Sequence, residues 1–322
     1  MAGFDYLVAE RFDAALVELT ESKPTLKAGG YDLLDLVKEG IDSPKLVLSI
    51  DRLDELRYVR EDADGLHIGA VTTLADLGRQ DLLKSKYPVL HTAAAHAATP
   101  QVRERATVGG NLCQRPRCWY FRNAEFNCLK KGGGTCFAVE GENQYHAIFG
   151  GGPCHIVHPS NLAPALLALD ARIVLAEHGK PDATIRAEEL FVLPRQSMYA
   201  ETTLKPGQVI REVLIPKAPS QSATIELREK QSFDWPIMMA SVARLEGAWR
   251  VCLGACAPIP WLSVPAMETL RNADVTPQLA EQAGIAAASE ATPLAGNAYK
   301  VQLVKVAVKR ALLQAAGQEV PS

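Results

Sequence analysis

The chain has 322 residues, of which 48% are hydrophobic and 22% charged, a composition close to that of folded globular proteins. This composition excludes a disordered, collagen-like or coiled-coil chain, and the length allows two domains or one large one. Lys and Arg number 34 against 37 Asp and Glu, a formal net charge of −3. Because no block of basic residues occurs, we expect no binding to nucleic acid.

Neither a membrane span nor an export signal is expected. The most apolar stretch, 162–176, contains Asp170 and Arg172 and is shorter than the ~20 apolar residues that a spanning helix needs. The first six residues lack a basic region followed by an apolar core. We therefore expect the protein to stay in the cytoplasm, or to reach the periplasm by co-export with a partner.

Apolar spacing in the first third predicts alternating helices and strands. A hydroxyl of Thr72 or Thr73 is expected to cap the short helix that runs to residue 77. We expect helices at 11–20 and 31–38 and strands at 45–50 and 66–71. After the capped helix, a buried helix is expected at 91–98.

The middle of the chain loses this regularity. Residues 114–159 are rich in Gly, Pro, Cys and polar residues without a sustained period, and a loop of this length in a compact domain is typically functional or disordered. A helix at 162–169 and a strand at 172–177 follow. Pro216 and Pro219 indicate a domain boundary.

The last third predicts an antiparallel sheet backed by helices. Alternating strands are expected with a turn at Glu246-Gly247, and the two helices are identified by their apolar periodicity. The expected strands lie at 223–229, 238–245 and 249–255, and the expected helices at 277–289 and 299–315.

Two Gly-Gly pairs are candidate anion sites. Gly29-Gly30 directly precedes a predicted helix, whose N-terminus favours negative charge, so a diphosphate could rest there. Gly109-Gly110 lies between Thr107 and Asn111 and could form a second loop closing over the same anion. Structural turns explain both pairs equally well, and the common G-x-G-x-x-G and P-loop motifs are absent.

Five of the seven cysteines crowd between residues 113 and 154. Four of them, Cys118, Cys128, Cys136 and Cys154, could bind zinc or an iron–sulfur cluster or form two disulfides. The absence of close C-x-x-C pairs disfavours structural zinc. We expect the remaining three cysteines to pack as small hydrophobic residues. These are Cys113, Cys252 and Cys256.

Three histidines lie in the same irregular segment and could be metal ligands. Scattered loop histidines are more often solvated, and this is what we expect of His146, His155 and His158.

Together, the Gly-Gly motifs, the cysteine segment and the motif His158-Pro159-Ser160-Asn161-Leu162-Ala163-Pro164-Ala165 resemble the FAD-binding medium subunit of the xanthine dehydrogenase family of molybdenum hydroxylases. The resemblance covers nearly the whole chain. It implies an α+β protein, with a two-part α/β FAD-binding domain of the PCMH type at 1–216 and an α+β C-terminal domain of the CO dehydrogenase flavoprotein type at 220–322.

The resemblance implies that both Gly-Gly loops grip the diphosphate and ribityl of FAD. Tyr31 replaces a Thr that is frequent in the family, and Asn161 replaces an Asp but can still accept a hydroxyl proton. Lys230 is a candidate for the flavin-ring side. The implied FAD contacts are Lys27, Ala28, Gly29, Gly30, Tyr31, Asp32, Leu33, Leu34, Thr107, Gly110, Asn111, Asn161 and Lys230.

The cysteine segment is similar to an insert at about 113–158 in the branch that carries an additional [4Fe–4S] cluster, which includes bacterial periplasmic aldehyde oxidoreductases and 4-hydroxybenzoyl-CoA reductases. This resemblance implies a [4Fe–4S] cluster rather than disulfides. Its implied ligands are Cys118, Cys128, Cys136 and Cys154.

The implied function is that of an electron-transfer subunit in a heterotrimer. A large partner would hold the molybdenum cofactor and oxidise an aldehyde, a small partner would carry [2Fe–2S] clusters, and this chain would pass their electrons to an external acceptor. An alternative within the family is the beta subunit of a 4-hydroxybenzoyl-CoA reductase-like enzyme or of another aromatic hydroxylase. A further alternative is a self-sufficient flavin oxidase of the wider fold group. An alternative from another class is a zinc-binding scaffold.

Overall fold

The computed structural model describes residues 3–231 and 233–320. The chain begins with a small parallel sheet of strand order β1-β3-β2, whose strands are joined by helices α1 and α2. As predicted, α1 buries Phe12, Ala15, Leu16 and Leu19 on one face. These elements are β1 (Asp5–Val8), α1 (Phe12–Glu21), β2 (Thr25–Lys27), α2 (Tyr31–Lys38) and β3 (Leu46–Ser49).

A five-stranded antiparallel sheet of order β4-β5-β8-β6-β7 follows. Its central strand, β8, arrives late in the chain and pairs with β5 so that Leu66 faces Ile215 across the ladder. The strands are β4 (Val59–Asp62), β5 (Gly65–Gly69), β6 (Arg172–Glu177), β7 (Ala183–Arg186) and β8 (Gln208–Ile215).

Short helices pack around this sheet. Thr73 caps α3 as expected, since its side chain accepts from the N–H of Asp76. The buried helix α5 begins at Pro88 and ends at Ala95, so the predicted helix at 91–98 was placed too late in the chain. The helices are α3 (Leu74–Gly78), α4 (Asp81–Lys86), α5 (Pro88–Ala95), α6 (Pro100–Arg103), α7 (Val108–Leu112), α8 (Trp119–Arg122) and α9 (Leu162–Ala168).

The last third confirms the predicted antiparallel sheet backed by helices. Its strand order is β12-β11-β10-β9, and Glu246 and Gly247 form the β10–β11 turn with positive φ angles of 50° and 88°. The elements are β9 (Gln221–Leu227), β10 (Met238–Leu245), β11 (Ala248–Gly254), β12 (Trp261–Leu262), α10 (Val264–Leu270), α11 (Pro277–Ala287) and α12 (Tyr299–Ala315).

The two halves of the chain share buried surface. Ala243 and Cys252, on β10 and β11, belong to the same apolar cluster as the helices around the five-stranded sheet. The mixed helix and sheet content confirms the α+β class, whereas the division at 216–220 stays a prediction. None of the helices within 3–231 and 233–320 has both the length and the apolar character needed to cross a bilayer.

Candidate functional site

A cavity of about 690 Å³ opens where β2 leads into α2. Its wall also includes residues of α7, of the segment 113–117 and of the segment 233–236. All the implied FAD contacts line it except Leu34 and Lys230, and the side chain of Lys230 is exposed. The lining contacts are Lys27, Ala28, Gly29, Gly30, Tyr31, Asp32, Leu33, Thr107, Gly110, Asn111 and Asn161.

The N-terminus of α2 faces this cavity without a side-chain cap. Gly30 occupies the N-cap position with a φ of 86°, and among the described residues no side chain bonds to the first-turn N–H groups. A side chain is strained at this φ, so glycine suits the position. The first turn of α2 therefore presents backbone donors and the positive end of the helix dipole to a ligand.

Gly29 lets this turn pack against another part of the backbone. A Cβ atom on Gly29 would lie 2.1 Å from the carbonyl oxygen of Arg105, closer than any normal contact. Because residues 105–106 lead into α7, the absence of a side chain here brings the two Gly-Gly motifs together.

The second Gly-Gly pair does not form the donor-rich loop that we expected. Residues 108–112 form the short helix α7, and its first N–H groups are already engaged within the protein. Val108 donates to Thr72 at 2.9 Å and Gly109 to Ala70 at 2.8 Å. Gly110 donates to the side chain of Thr107 at 3.2 Å. Gly109 and Gly110 thus serve close packing, and their N–H groups are not free for an anion.

Asn111 connects α7 to the segment that precedes α9. Its Oδ1 accepts from the hydroxyl of Ser160 at 2.6 Å and from the N–H of Leu162 at 3.3 Å. Asn161, next in the chain to Ser160, donates through Nδ2 to Glu226 at 2.8 Å. This bond leaves the Asn161 carbonyl oxygen as the free acceptor at the cavity wall.

Lys27 is buried, and its charge is already balanced. Its Nζ donates to Ser49 Oγ at 3.1 Å and to the carbonyl oxygen of Ala28 at 3.0 Å, and it lies 3.6 Å from Asp51. Burial alone would raise the pKa of Asp51, but the hydrogen bond from Ser49 and the charges of Lys27 and Arg105 lower it. Lys27 therefore stabilises the turn of the first Gly-Gly pair through this network.

Arginines that follow α7 surround the carboxylate of Asp32, in the first turn of α2. Arg117 Nη1 lies 2.8 Å from Oδ1, and Arg122 Nη2 donates to the same oxygen. The N–H of Arg115 donates to Oδ2 at 2.7 Å. Arg117 also lies over the ring of Trp235, 5.1 Å from its centroid. These contacts join α2 to the cysteine segment.

Sequence reasoning did not single out these arginines or the segment 233–236 as parts of the site. The sequence feature that could have identified them is the occurrence of two arginines, Arg115 and Arg117, just before Cys118. Their acidic partner lies some 85 residues earlier, and no local pattern identifies it.

The cysteine segment lies beside the cavity, and all seven cysteines are free thiols. Cys128 packs with Leu36 of α2 and with Phe121, and Cys118 lines this small cluster. Cys252 and Cys256 are fully buried, which confirms their predicted packing role. Cys113 packs against the main core and borders the cavity.

The four predicted ligand cysteines interact with one another. Cys136 shares a hydrogen bond with Cys154, which lowers the pKa of Cys136 and raises that of Cys154. Burial raises the pKa of Cys118 to about 11, and the thiols of Cys136 and Cys128 add to that shift. Within residues 3–231 and 233–320, however, no group of three or more His, Cys, Asp or Glu side chains is arranged to hold a metal ion.

Backbone N–H groups point at three of these sulfur atoms. Those of Phe121 and Tyr120 act on Cys118, those of His155 and Ala138 on Cys136, and that of Ile156 on Cys154, each favouring the thiolate. The charge of Lys130 also favours the thiolate of Cys154. These N–H groups contribute to the lowered pKa of Cys136 and partly offset the burial that raises the pKa values of Cys118 and Cys154.

A buried ion pair ties this segment to a distant loop. Lys130 is 4% exposed, and its Nζ lies 2.7 Å from Oε1 of Glu201. The other carboxylate oxygen of Glu201 lies 3.0 Å from Nε of Arg115. Both cations flank predicted ligand positions, so Glu201 fixes two parts of the segment at once.

The prediction that the three histidines are solvated was wrong for two of them. His146 is 4% exposed and His158 3% exposed, and burial lowers the pKa of each to about 4. Nε2 of His146 lies 3.2 Å from the sulfur of Cys118. His155 is half-buried. These rings are buried because the segment packs against the C-terminal half of the chain. The composition of a loop does not predict such packing.

Comparisons with known proteins match both parts of the chain. Residues 2–218 match the family described as "FAD binding domain in molybdopterin dehydrogenase". Residues 240–315 match the family described as "CO dehydrogenase flavoprotein C-terminal domain".

Similar proteins extend over nearly the whole chain. The aldehyde oxidoreductase FAD-binding subunit PaoB of Escherichia coli K12 is 32% identical over 90% of this chain and 91% of its own. The carbon monoxide dehydrogenase medium chain of Hydrogenophaga pseudoflava is 27% identical over 92% and 91%. A solved carbon monoxide dehydrogenase structure from the same organism superposes with a TM-score of 0.75 at 25% identity, covering 98% of both chains.

Proposed function

Because the chain belongs to the family of FAD-binding subunits of molybdopterin dehydrogenases, we propose that it is the electron-transfer subunit of a molybdenum-dependent aldehyde oxidoreductase. One observation carries the proposal: the uncapped N-terminus of α2 faces a large cavity and is joined by Asp32 to a segment with four interacting cysteines. A flavin and an iron–sulfur cluster would then be neighbours.

The cavity suits FAD in size and in donors. Its volume of about 690 Å³ lies within the usual range of ligand pockets, ~300–1,000 Å³. The first turn of α2 would bind the diphosphate through its N–H groups, and Thr107 and Asn161 offer hydroxyl and carbonyl groups to the rest of the molecule. Bound FAD supplies a group that accepts electrons singly and passes them on in pairs.

The absence of C-x-x-C pairs disfavours a single zinc ion, as does the resemblance to the cluster-bearing branch. In a [4Fe–4S] cluster, Cys118, Cys128, Cys136 and Cys154 would each provide one thiolate ligand. The N–H groups directed at Cys118, Cys136 and Cys154 would stabilise an anionic cluster. Bound iron and sulfide would supply a one-electron carrier beside the flavin.

The names of the relatives support a division of labour between subunits. PaoB is named as an FAD-binding subunit of an aldehyde oxidoreductase, and the Hydrogenophaga protein as a medium chain. We infer a heterotrimer in which a large subunit with molybdenum cofactor oxidises the aldehyde. A small subunit with [2Fe–2S] clusters passes the electrons to this chain, which delivers them to an external acceptor.

Anaerobic purification of the chain with its co-expressed partners tests the proposal. Acid extraction should release about one FAD, and analysis of the isolated chain should find about four iron and four sulfide. A colourless preparation without flavin would refute FAD binding, and zinc in place of iron would refute the cluster. Aldehyde oxidation by the isolated chain would refute the division of labour.

A further inference from the structure

The side chain of Glu226 lies directly behind the wall of the first cavity. Glu226 belongs to β9, and its side chain is 4% exposed. Its Oε1 accepts from Nδ2 of Asn161 at 2.8 Å, and Asn161 lines the cavity, whereas Glu226 does not. Glu226 therefore meets a ligand in this cavity through Asn161 and not directly.

The other carboxylate oxygen of Glu226 holds Arg228. Nη2 of Arg228 bonds to Oε2 and also donates to the carbonyl oxygen of His96 at 2.8 Å. The side chain of Arg228 is 11% exposed, so the ion pair is largely buried. His96 follows α5, and the next two residues, Ala97 and Ala98, line the cavity. The ion pair therefore connects β9 to a second part of the cavity wall.

Both contacts use Glu226 as an acceptor. Burial raises the pKa of its carboxyl, whereas the charge of Arg228 and the hydrogen bonds from Asn161 and Arg228 lower it. An ionised carboxylate accepts hydrogen bonds and donates none. The NH₂ group is the only donor of the Asn161 side chain, so this group faces Glu226 and the carbonyl oxygen is the amide atom left for a ligand.

A neutral amide in place of Glu226 could not satisfy both contacts. Glutamine has one carbonyl oxygen, and Arg228 would take it, because hydrogen bonds from a charged donor are the stronger ones. The NH₂ group of the glutamine would then face Asn161. The amide of Asn161 would have to reverse to accept from it, and its own NH₂ group would turn to the cavity. The polarity of the cavity wall at Asn161 thus depends on the carboxylate of Glu226.

We propose that Glu226 is a positioning residue of the flavin site: it holds the amide of Asn161 with the carbonyl oxygen toward the cavity, where this oxygen accepts a hydroxyl proton of FAD. Asn161 gives the site a neutral acceptor, and the negative charge stays behind it, paired with Arg228. This inference rests on the proposed binding of FAD.

Two substitutions, alone and combined, test the proposal when the full chain is freed of flavin and titrated with FAD. Glu226→Gln should weaken FAD binding about tenfold, because the reversed Asn161 no longer accepts the hydroxyl proton. Asn161→Asp should weaken it about tenfold or more, because the new carboxylate lies against that of Glu226.

The double variant should bind FAD more tightly than Asn161→Asp alone. The new glutamine donates to one oxygen of the new aspartate, and the other oxygen is left to accept from FAD. Affinity should therefore return to within about threefold of the unsubstituted chain, a coupling that substitutions in contact can show. Glu226→Gln thus weakens binding when residue 161 is asparagine and strengthens it when residue 161 is aspartate.

A purely structural role of Glu226 would weaken FAD binding in both backgrounds, and that result would overturn the proposal. If Glu226→Gln does not fold, Asn161→Asp still decides, since affinity equal to that of the unsubstituted chain would also overturn it. Glu229→Gln is the control, because Glu229 is exposed and does not line the first cavity, and it should leave the affinity unchanged. Failure of the unsubstituted chain to bind FAD would instead refute the proposed function, and this inference with it.

Discussion

The carbonyl oxygen of Arg105 lies 2.1 Å from the position that a Cβ atom would take on Gly29. This contact makes the first Gly-Gly pair a packing requirement as well as a source of backbone donors. It links the turn before α2 to the residues that lead into α7, two parts of the chain about 75 residues apart. The cavity depends on their close approach.

We therefore expect Gly29→Ala to weaken FAD binding and to destabilise the fold. The added methyl group must push the turn away from residue 105, and overpacking of this kind costs about 1–3 kcal/mol. Flavin content after gel filtration and the urea unfolding midpoint measure the two effects.

Gly78→Ala is the matched control, since a Cβ atom there would meet Ala95 at an ordinary 3.5 Å. Its flavin content and stability should equal those of the unsubstituted chain. Normal flavin content in Gly29→Ala would contradict the role of the close contact in shaping the cavity.

A neighbouring pair of glycines tests the cysteine segment. A Cβ atom on Gly133 would lie 1.7 Å from the carbonyl oxygen of Asn127, whereas one on Gly134 would meet nothing within 4 Å. We expect Gly133→Ala to lose bound iron, because it distorts the chain between Cys128 and Cys136. Gly134→Ala should retain it. Iron analysis of both variants measures the difference. Equal iron contents would show that the close packing of Gly133 is not needed for iron binding.

Glu201→Gln should destabilise the protein strongly. The substitution leaves Lys130 buried without its carboxylate partner, and breaking a buried ion pair costs about 3–5 kcal/mol. Glu281→Gln, which breaks the more exposed pair with Lys309, should cost at most about 1 kcal/mol. Guanidinium unfolding measures both variants, and similar losses would refute the structural role of Glu201.

Lys300 should make stability depend on pH. It is fully buried, donates to the carbonyl oxygens of Ala255, His146 and Tyr145, and burial lowers its pKa to about 8 from 10.5. Between these two values the unfolded chain holds a proton that the folded chain has released, so this residue's contribution to the unfolding free energy rises with pH.

The measurement is urea unfolding of the unsubstituted chain and of Lys300→Met. The difference between their unfolding free energies should shift in favour of the unsubstituted chain by about 3 kcal/mol from pH 8 to pH 10.5. Below pH 8 both states hold the proton, and the difference should be flat. A flat difference across the whole range would contradict the lowered pKa.

Local patterns in the sequence predicted much of the fold. Helices α2 and α12 and strand β6 begin and end at the predicted residues, because apolar periodicity, a glycine near the end of α2 and short connections act within a few residues. The β10–β11 turn followed from Glu246-Gly247 for the same reason. Strand β8 was not predicted, since its partners β5 and β6 lie far from it in the chain.

The sequence predicted the position of the first glycine pair at the site, but it did not predict most of the side-chain contacts there. The first Gly-Gly pair lines the cavity as expected, but the N–H groups of α7 are used internally. Thr107, which caps α7, was the available signal for a helix there. Burial of His146 and pairing of Asp32 with Arg117 depend on contacts between distant segments, which composition and spacing do not encode.

Electron paramagnetic resonance of the dithionite-reduced complex tests most directly whether the four cysteines hold the proposed [4Fe–4S] cluster next to the flavin. A [4Fe–4S] signal is expected in addition to those of the [2Fe–2S] partner. The signal should disappear in Cys136→Ser, whereas Cys113→Ser should retain it. A native complex without this signal would contradict the proposed cluster, and an unchanged signal in Cys136→Ser would contradict its proposed ligands.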